Sequence, residues 1–210
     1  MNFLDEKVTT YMQGLAAVDD EPVLLEMEQL AKDNNFPIIG RLCGEVLELL
    51  ARSIGARRIF EMGSGYGYSA YWFSRATGPD GEIHLTDTDP DNESKAGDFL
   101  GRAGLLDPIR YHVASAFDAF DQTEGEFDIV YCDINKGDYP EAWRRGSERV
   151  RAGGLYICDN MLWSGRVADA EKDEWTRAID ETNHLAFADR RFRSTIVPTR
   201  DGVLVSLRIS

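Results

Sequence analysis

Two short segments of this chain carry the residue types that hold a hard cation. Tyr131-Cys132-Asp133 and Ile157-Cys158-Asp159-Asn160 each end an apolar run on a carboxylate, the second followed by an amide. If the two runs are the fourth and fifth strands of a doubly wound sheet, which are usually neighbours, their ends bring Asp133, Asp159 and Asn160 together. Two carboxylates and an amide oxygen are hard ligands, suited to Mg²⁺ or Ca²⁺ and not to zinc. Two unpaired carboxylates at close range are costly, and a cation is a physical remedy. The competing reading has each aspartate capping its own loop, the two never meeting. Lys136 lies three residues after Asp133. Beside a divalent ion its protonated form is disfavoured, which makes it a candidate general base; taken alone it reads as a solvated surface lysine. Cys132 and Cys158 alternate away from the aspartates and pack as small apolar residues.

A second constellation is the glycine-rich run Glu61-Met62-Gly63-Ser64-Gly65-Tyr66-Gly67-Tyr68-Ser69. It follows an apolar strand and enters a helix, where glycines permit a sharp turn and close backbone approach to a ligand. The dinucleotide fingerprint is GxGxxG, but here glycines stand at 63, 65 and 67 and Tyr at 68. Glu61 also places a carboxylate where a pyrophosphate would be repelled. A cationic cofactor without phosphate suits the turn, and S-adenosylmethionine (SAM), with an ammonium and a sulfonium, meets that preference. A purely structural strand–helix turn accounts for the glycines equally well. Asp87 ends the next strand, 24 residues on from Gly63, where an acidic side chain can accept both ribose hydroxyls. Asp89 is its rival there, and Asp91 is the expected cap of the following helix. Ser115 follows the third strand and either faces an adenine ring or caps a helix. His84, His112 and His184 form no ligand pair or triad.

These residues require an alternating framework to position them. Apolar spacing predicts helices around Leu24–Ala31 and Leu42–Ile54. Strands are predicted at Arg58–Met62, Glu82–Asp87, Ile109–Val113, Phe127–Cys132 and Leu155–Cys158. Between and after them come helices at Ser69–Ala76, Asp91–Ala103, near Asp118, at Pro140–Val150 and at Glu171–Ala186. Phe192–Val197 and Val203–Ile209 read as a closing hairpin turned at Asp201-Gly202. Five strands separated by helices imply a parallel sheet with right-handed crossovers, with ligands bound beyond the carboxyl ends of the strands. The candidate residues all fall just after strands.

The chain of 210 residues suits one domain, with residues 1–39 a helical cap region and 40–210 the binding and catalytic core. With 23 basic against 37 acidic residues the formal charge is −14, which weighs against nucleic acid or an anionic membrane as partner. No apolar run approaches the ~20 residues of a membrane span, and Met1–Asp20 does not read as a secretory leader. Three cysteines provide neither a disulfide framework nor a CxxC zinc pair. A cytoplasmic setting is the expectation.

The turn Glu61–Ser69, the segment from Phe127 through Asp133 and Lys136 to Tyr139, and the run Gly153–Val167, with its Asp159-Asn160-Met161-Leu162-Trp163-Ser164-Gly165-Arg166-Val167 stretch, resemble the catechol/caffeoyl-CoA O-methyltransferase family. The resemblance runs from about Gly40 to the C-terminus. It implies a Rossmann-like class I methyltransferase fold, an α/β doubly wound and mainly parallel seven-stranded sheet ending in an antiparallel hairpin. It implies SAM held by Glu61, Gly63, Ser69, Asp87, Ser115 and Asp133, a divalent cation (usually Mg²⁺) on Asp133, Asp159 and Asn160, and Lys136 as base with Asp133 beside it. It further implies a small-molecule acceptor, one hydroxyl of a vicinal aromatic diol, and a homodimer. The chain departs from the family pattern in reading Asp133-Ile134-Asn135-Lys136 where members often have Asp-Ala-Asp-Lys, and in having Asn135 where some catechol enzymes place a tryptophan. Its first 39 residues match poorly. Metal-independent methyl transfer from SAM, and a SAM-binding module without turnover, are the alternatives.

Overall fold

The computed structural model describes residues 5–16 and 21–210; part of the Met1–Asp20 reading therefore lies outside the described residues. Seven strands, β1 (Arg58–Met62), β2 (Glu82–Asp87), β3 (Ile109–Val113), β4 (Phe127–Cys132), β5 (Val150–Cys158), β6 (Phe192–Val197) and β7 (Val203–Arg208), form one sheet in the order β3-β2-β1-β4-β5-β7-β6. The first five are parallel; β7 runs antiparallel to β5 and to β6. Helices α1 (Glu6–Ala16), α2 (Pro22–Asp33) and α3 (Arg41–Ser53) precede the sheet. Helices α4 (Tyr68–Thr77), α5 (Pro90–Arg102), α6 (Ala116–Gln122), α7 (Tyr139–Glu148) and α8 (Glu174–Ala188) connect its strands.

Parallel strands covered on both faces must be apolar on both, and the alternation along each strand divides the core. Ile59, Tyr131 and Ile157 pack with Leu24, Met27, Leu47, Tyr71 and Phe73 from α2, α3 and α4. Their neighbours Phe60, Val130, Cys132, Tyr156 and Cys158 pack on the opposite face with Phe120, Trp143 and Ile179 from α6, α7 and α8. Both strand cysteines are fully buried and free, as their alternation requires.

Several boundaries differ from the sequence pattern for identifiable reasons. Helix α5 opens earlier than predicted because Asp89, not Asp91, is its N-cap, accepting the Asp91 N–H at 2.9 Å with Pro90 in the first turn. Strand β5 begins at Val150, inside the predicted helix, because Val150 pairs with Phe127 before the register shifts ahead of the Ile129–Leu155 pair. Helix α8 opens later than predicted, where Asp173 accepts the Thr176 N–H at 2.7 Å. Among the described residues no helix is long and apolar enough to cross a membrane.

Candidate active site

The sheet order reverses at β1, whose neighbours β2 and β4 lead to helices on opposite faces. A cleft of about 630 Å³ opens there, lined by the β1–α4 turn, the ends of β2 and β3, the residues after β4, and Phe36–Ile39 ahead of α3. The turn is pinned to β2 through one residue. Gly63 N–H donates to Thr86 Oγ1 at 3.0 Å, Thr86 Oγ1 donates to the Glu61 carbonyl at 2.9 Å, and Ser64 and Thr86 exchange two further bonds. Gly63 adopts φ +83°, and a Cβ there would stand 2.4 Å from the Asp133 carbonyl oxygen. The glycine is thus required by the close approach of β1 and β4, whichever ligand the cleft takes.

Gly63, Ser69, Asp87, Ser115, Asp133, Lys136 and Asn160 all line this cleft. Asp87 and Asp89 are told apart by what each already does. Asp89 is the cap of α5, whereas Asp87 lines the cleft and, among the described residues, accepts only the Asp89 N–H, at 2.8 Å, leaving carboxylate capacity for a ligand. Ser115 has both roles that the sequence left open. Its Oγ accepts the Asp118 N–H at 3.1 Å and donates to Asp118 Oδ2 at 2.7 Å, capping α6, while the residue faces the cleft beside Ala116 and Phe117.

Glu61 is placed differently from the expectation that its carboxylate borders the turn. It is fully buried, stands behind the cleft wall, and reaches the cleft through Ser69, whose Oγ donates to Glu61 Oε1; Oε2 has no hydrogen-bond partner among the described residues. Burial is the main cause that pushes its carboxyl up to about 8, with the Ser69 hydroxyl opposing. A native pKa above the unfolded value means that the folded protein keeps a proton which the unfolded chain releases. Stability is then full below the unfolded pKa, near 4.5, and declines as pH rises toward 8. Glu61→Gln removes that dependence. The variant is expected to gain on the parent by roughly 3.5 kcal/mol between pH 5 and pH 8, about 7–14 °C in melting temperature for a chain of this size. Ligand-free thermal melts across that range measure it, and a difference independent of pH would contradict the buried, protonated carboxyl.

At the tips of β4 and β5, Cys132 pairs with Cys158 and Asp159 N–H donates to the Cys132 carbonyl at 3.1 Å. The residues that follow, Asp133 and Asp159, are therefore brought together, as the strand order requires. They are not bare carboxylates, which corrects the sequence expectation. Lys136 Nζ donates to Asp133 Oδ1 at 2.8 Å, to the Ile134 carbonyl at 3.2 Å and to Tyr139 Oη at 2.7 Å. Its side chain is only 14% exposed, so the reading of a solvated surface lysine does not hold. Tyr139 Oη donates to the Asp159 carbonyl at 3.1 Å, tying the two strand tips through one hydroxyl. Arg200, from the β6–β7 turn, donates to Asp159 Oδ2 at 3.2 Å. Asp159 is 1% exposed, and its Oδ1 has no hydrogen-bond partner among the described residues. Burial first, and then the charge of Asp133, hold its carboxyl well above the usual range, with Arg200 opposing. Asn160 takes φ +62°, an uncommon conformation outside glycine, and lines the cleft.

Among the described residues no group of three or more His, Cys, Asp or Glu side chains could hold a metal ion; the set here is two carboxylates and an amide. The orphaned Asp159 Oδ1 and the all-oxygen donor chemistry fit a hard cation.

Other features were not legible as site residues. Trp163 lines the cleft, and so does Trp175 of α8, 55% exposed and edge-on to Trp163 at 6.3 Å between ring centroids. Nothing in the spacing of α8 marks Trp175; an exposed tryptophan is the one available signal. Trp143 packs against Tyr156 and Phe192, away from the cleft, and Tyr139 is buried beneath Lys136. His84 and His112 join ring to ring at 2.9 Å, with His84 also on Glu82 at 2.7 Å; His84 lies within β2 and His112 is one residue short of the end of β3, and neither lines the cleft. Arg200 had no signal at all, because a hairpin-turn arginine reads as solvated.

The profile of the O-methyltransferase family matches residues 15–209 of this chain. The chain is 29% identical to a catechol O-methyltransferase of Niastella koreensis over 82% of its own length and 80% of that protein's. It is 31% identical to caffeoyl-CoA O-methyltransferase 1 of Eucalyptus globulus over 80% of its length and 73% of that protein's. The crystal structure of the O-methyltransferase TomG from Streptomyces achromogenes, in complex with SAM, superposes with a TM-score of 0.88 at 26% identity, covering 97% of this chain and 96% of that one. With a seven-stranded sheet ending in an antiparallel pair and a family match over almost its whole length, the chain belongs to the O-methyltransferase family, enzymes that move the methyl group of SAM onto oxygen.

Proposed function

We propose that this enzyme transfers the SAM methyl group to one hydroxyl of a small aromatic vicinal diol, with a divalent cation, Mg²⁺ by preference, held on Asp133, Asp159 and Asn160. The observation that carries the reading is the placement of these three oxygen donors on adjacent strand tips, at the edge of the cleft that the glycine turn and Asp87 also border. In this reading Asp87 accepts the ribose hydroxyls and Ser115, with Phe117, edges the adenine. Ser69, oriented by Glu61, and the backbone at Gly63 hold the amino-acid end beside Asp133. SAM supplies an electrophilic methyl group on a sulfonium. Asp133, Asp159 and Asn160 would hold the divalent cation, which would supply Lewis acidity that makes the acceptor hydroxyl easier to deprotonate. Trp163 and Trp175 flank the acceptor ring, and Lys136 Nζ receives the proton of its hydroxyl. Phe36, Ile38 and Ile134 line the same cleft and exclude water from a step that neutralises charge. A cytoplasmic homodimer completes the proposal.

One observation favours a second reading, transfer without a metal. Lys136 and Arg200 already neutralise both carboxylates. Labelled SAM with a panel of catechols, caffeoyl esters and flavonoids, with and without Mg²⁺ and with excess chelator, separates the two. Label transfer that chelator abolishes supports the metal-assisted reading; transfer untouched by chelator supports the second. Absence of transfer to every vicinal diol overturns the acceptor class.

The Asp87 assignment has its own test. Asp87→Ala is expected to weaken SAM binding by about ten- to a hundredfold, the loss of hydrogen bonds to a charged acceptor, with little change in melting temperature. Calorimetric titration measures it. Because Asp89 caps α5, Asp89→Ala is expected to lower stability and leave SAM affinity near the parent value; the reverse pattern would exchange their roles.

A further inference from the structure

The guanidinium on Asp159 comes from a residue whose position is built in. Arg200 lies in the Thr199–Gly202 turn between β6 and β7, with φ +50°, an uncommon backbone conformation for an arginine. The turn is fastened to the loop that follows Asp159. The Asp201 carbonyl accepts the Leu162 N–H at 2.9 Å, the Gly202 carbonyl accepts the Met161 N–H at 2.9 Å, and Asp201 Oδ1 accepts the Ser164 N–H. The hairpin tip therefore holds Arg200 over the end of β5. Its Nη1 stands 3.2 Å from Asp159 Oδ2, while the other oxygen of the same carboxylate is buried without a hydrogen-bond partner among the described residues. Arg200 and Asn160 both line the active-site cleft and also a second cavity of about 430 Å³, walled by Thr9 and Gln13 of α1, Arg41 and Leu42 of α3, and Asp201.

We propose that Arg200 is an internal competitor for the cation site: it occupies Asp159 when no divalent ion is bound and leaves toward the second cavity when one is. The inference rests on the metal-assisted reading above. A divalent ion bound to Asp159 and a guanidinium 3.2 Å from the same carboxylate repel each other, so one displaces the other or both bind weakly. The side chain is 42% exposed, and the cavity that Arg200 and Asn160 line offers space for it away from Asp159. Arg200 thereby sets how much free cation the enzyme needs before the acceptor site is complete. It is a positioning residue, acting through Asp159.

The test reads cation affinity directly, without turnover. Binding of Mn²⁺ alone to the full chain is followed by the loss of the free-ion EPR signal, for the parent, Arg200→Gln, Arg200→Gly, Arg200→Lys and Asp159→Asn. Arg200→Gln and Arg200→Gly are expected to tighten the Mn²⁺ dissociation constant by about tenfold or more, the scale on which groups adjoining metal ligands act. Arg200→Lys keeps the charge and is expected to stay near the parent. Glycine also suits the positive φ, so at least one neutral variant folds with the turn intact. Affinities in the neutral variants equal to or weaker than the parent's overturn the competition and leave the metal reading standing. Mn²⁺ binding that is absent from every variant, or indifferent to Asp159→Asn, overturns both.

Discussion

Asp159→Ala is expected to lose metal-stimulated turnover by a factor on the order of 10³ while its affinity for SAM stays within about twofold of the parent. The asymmetry follows from where the residue stands. Asp159 ends β5 and is 1% exposed; it does not line the cleft, and it is reached from there past Asn160 and Arg200. The groups assigned to SAM stand at the ends of β1 and β2, in the turn after β1, at the start of α4, at the cap of α6 and, with Asp133, just after β4; among the described residues none of them hydrogen-bonds to the Asp159 side chain. Removing the carboxylate deletes one of two anionic donors for the cation and leaves Arg200 without its partner, so the pocket carries an excess positive charge where a second one would have to bind. Initial rates against Mg²⁺ concentration, with calorimetry for SAM in parallel, measure both quantities. Full turnover in the variant, or undiminished turnover of the parent in excess chelator, removes the cation from the mechanism and leaves methyl transfer driven by positioning alone.

Much of the framework behind this prediction was legible before any coordinates. Near-continuous apolar runs such as Phe127–Cys132 stop at residues that cannot continue a buried strand. Each stop coincides with a candidate ligand, because a parallel sheet exposes the carboxyl ends of its strands and buries the rest. What could not be read was pairing between polar side chains far apart in the chain. The Asp159–Arg200 bond spans 41 residues and depends on how the hairpin tip folds back on the loop after β5. Trp175 enters the cleft because α8 packs beside the loop that carries Trp163, a tertiary fact without a local sequence mark. Glu61 illustrates a different limit. Its place at the glycine turn was visible, but alternation along β1 sends its side chain into the core with Ser69 between it and the cleft. The cap of α5 failed for a smaller reason: Asp89, Asp91 and the intervening Pro90 offer two acceptable starts, and proline in the first turn selects the earlier one.

Lys136→Met is expected to lower kcat by about 10²- to 10⁴-fold, the usual worth of a positioned general base, with SAM affinity nearly unchanged and a lower melting temperature because Asp133 loses its partner. Methionine keeps the unbranched stem that packs beside Tyr139 and removes only the nitrogen. That nitrogen has two separable duties. As an ammonium it neutralises Asp133 through the 2.8 Å contact, and it bonds Tyr139 Oη, which fastens the tips of β4 and β5. As a free amine it receives the acceptor's proton. Lys136→Arg separates the duties, because guanidinium retains the charge and donors but does not give up its proton near neutral pH. If proton removal is the function, the arginine variant folds and binds SAM like the parent yet turns over as slowly as the methionine variant. Both variants then regain rate as pH rises and the acceptor ionises without help. If charge alone is required, arginine restores kcat, and the base assignment is lost while the ion pair with Asp133 remains the reason for the lysine.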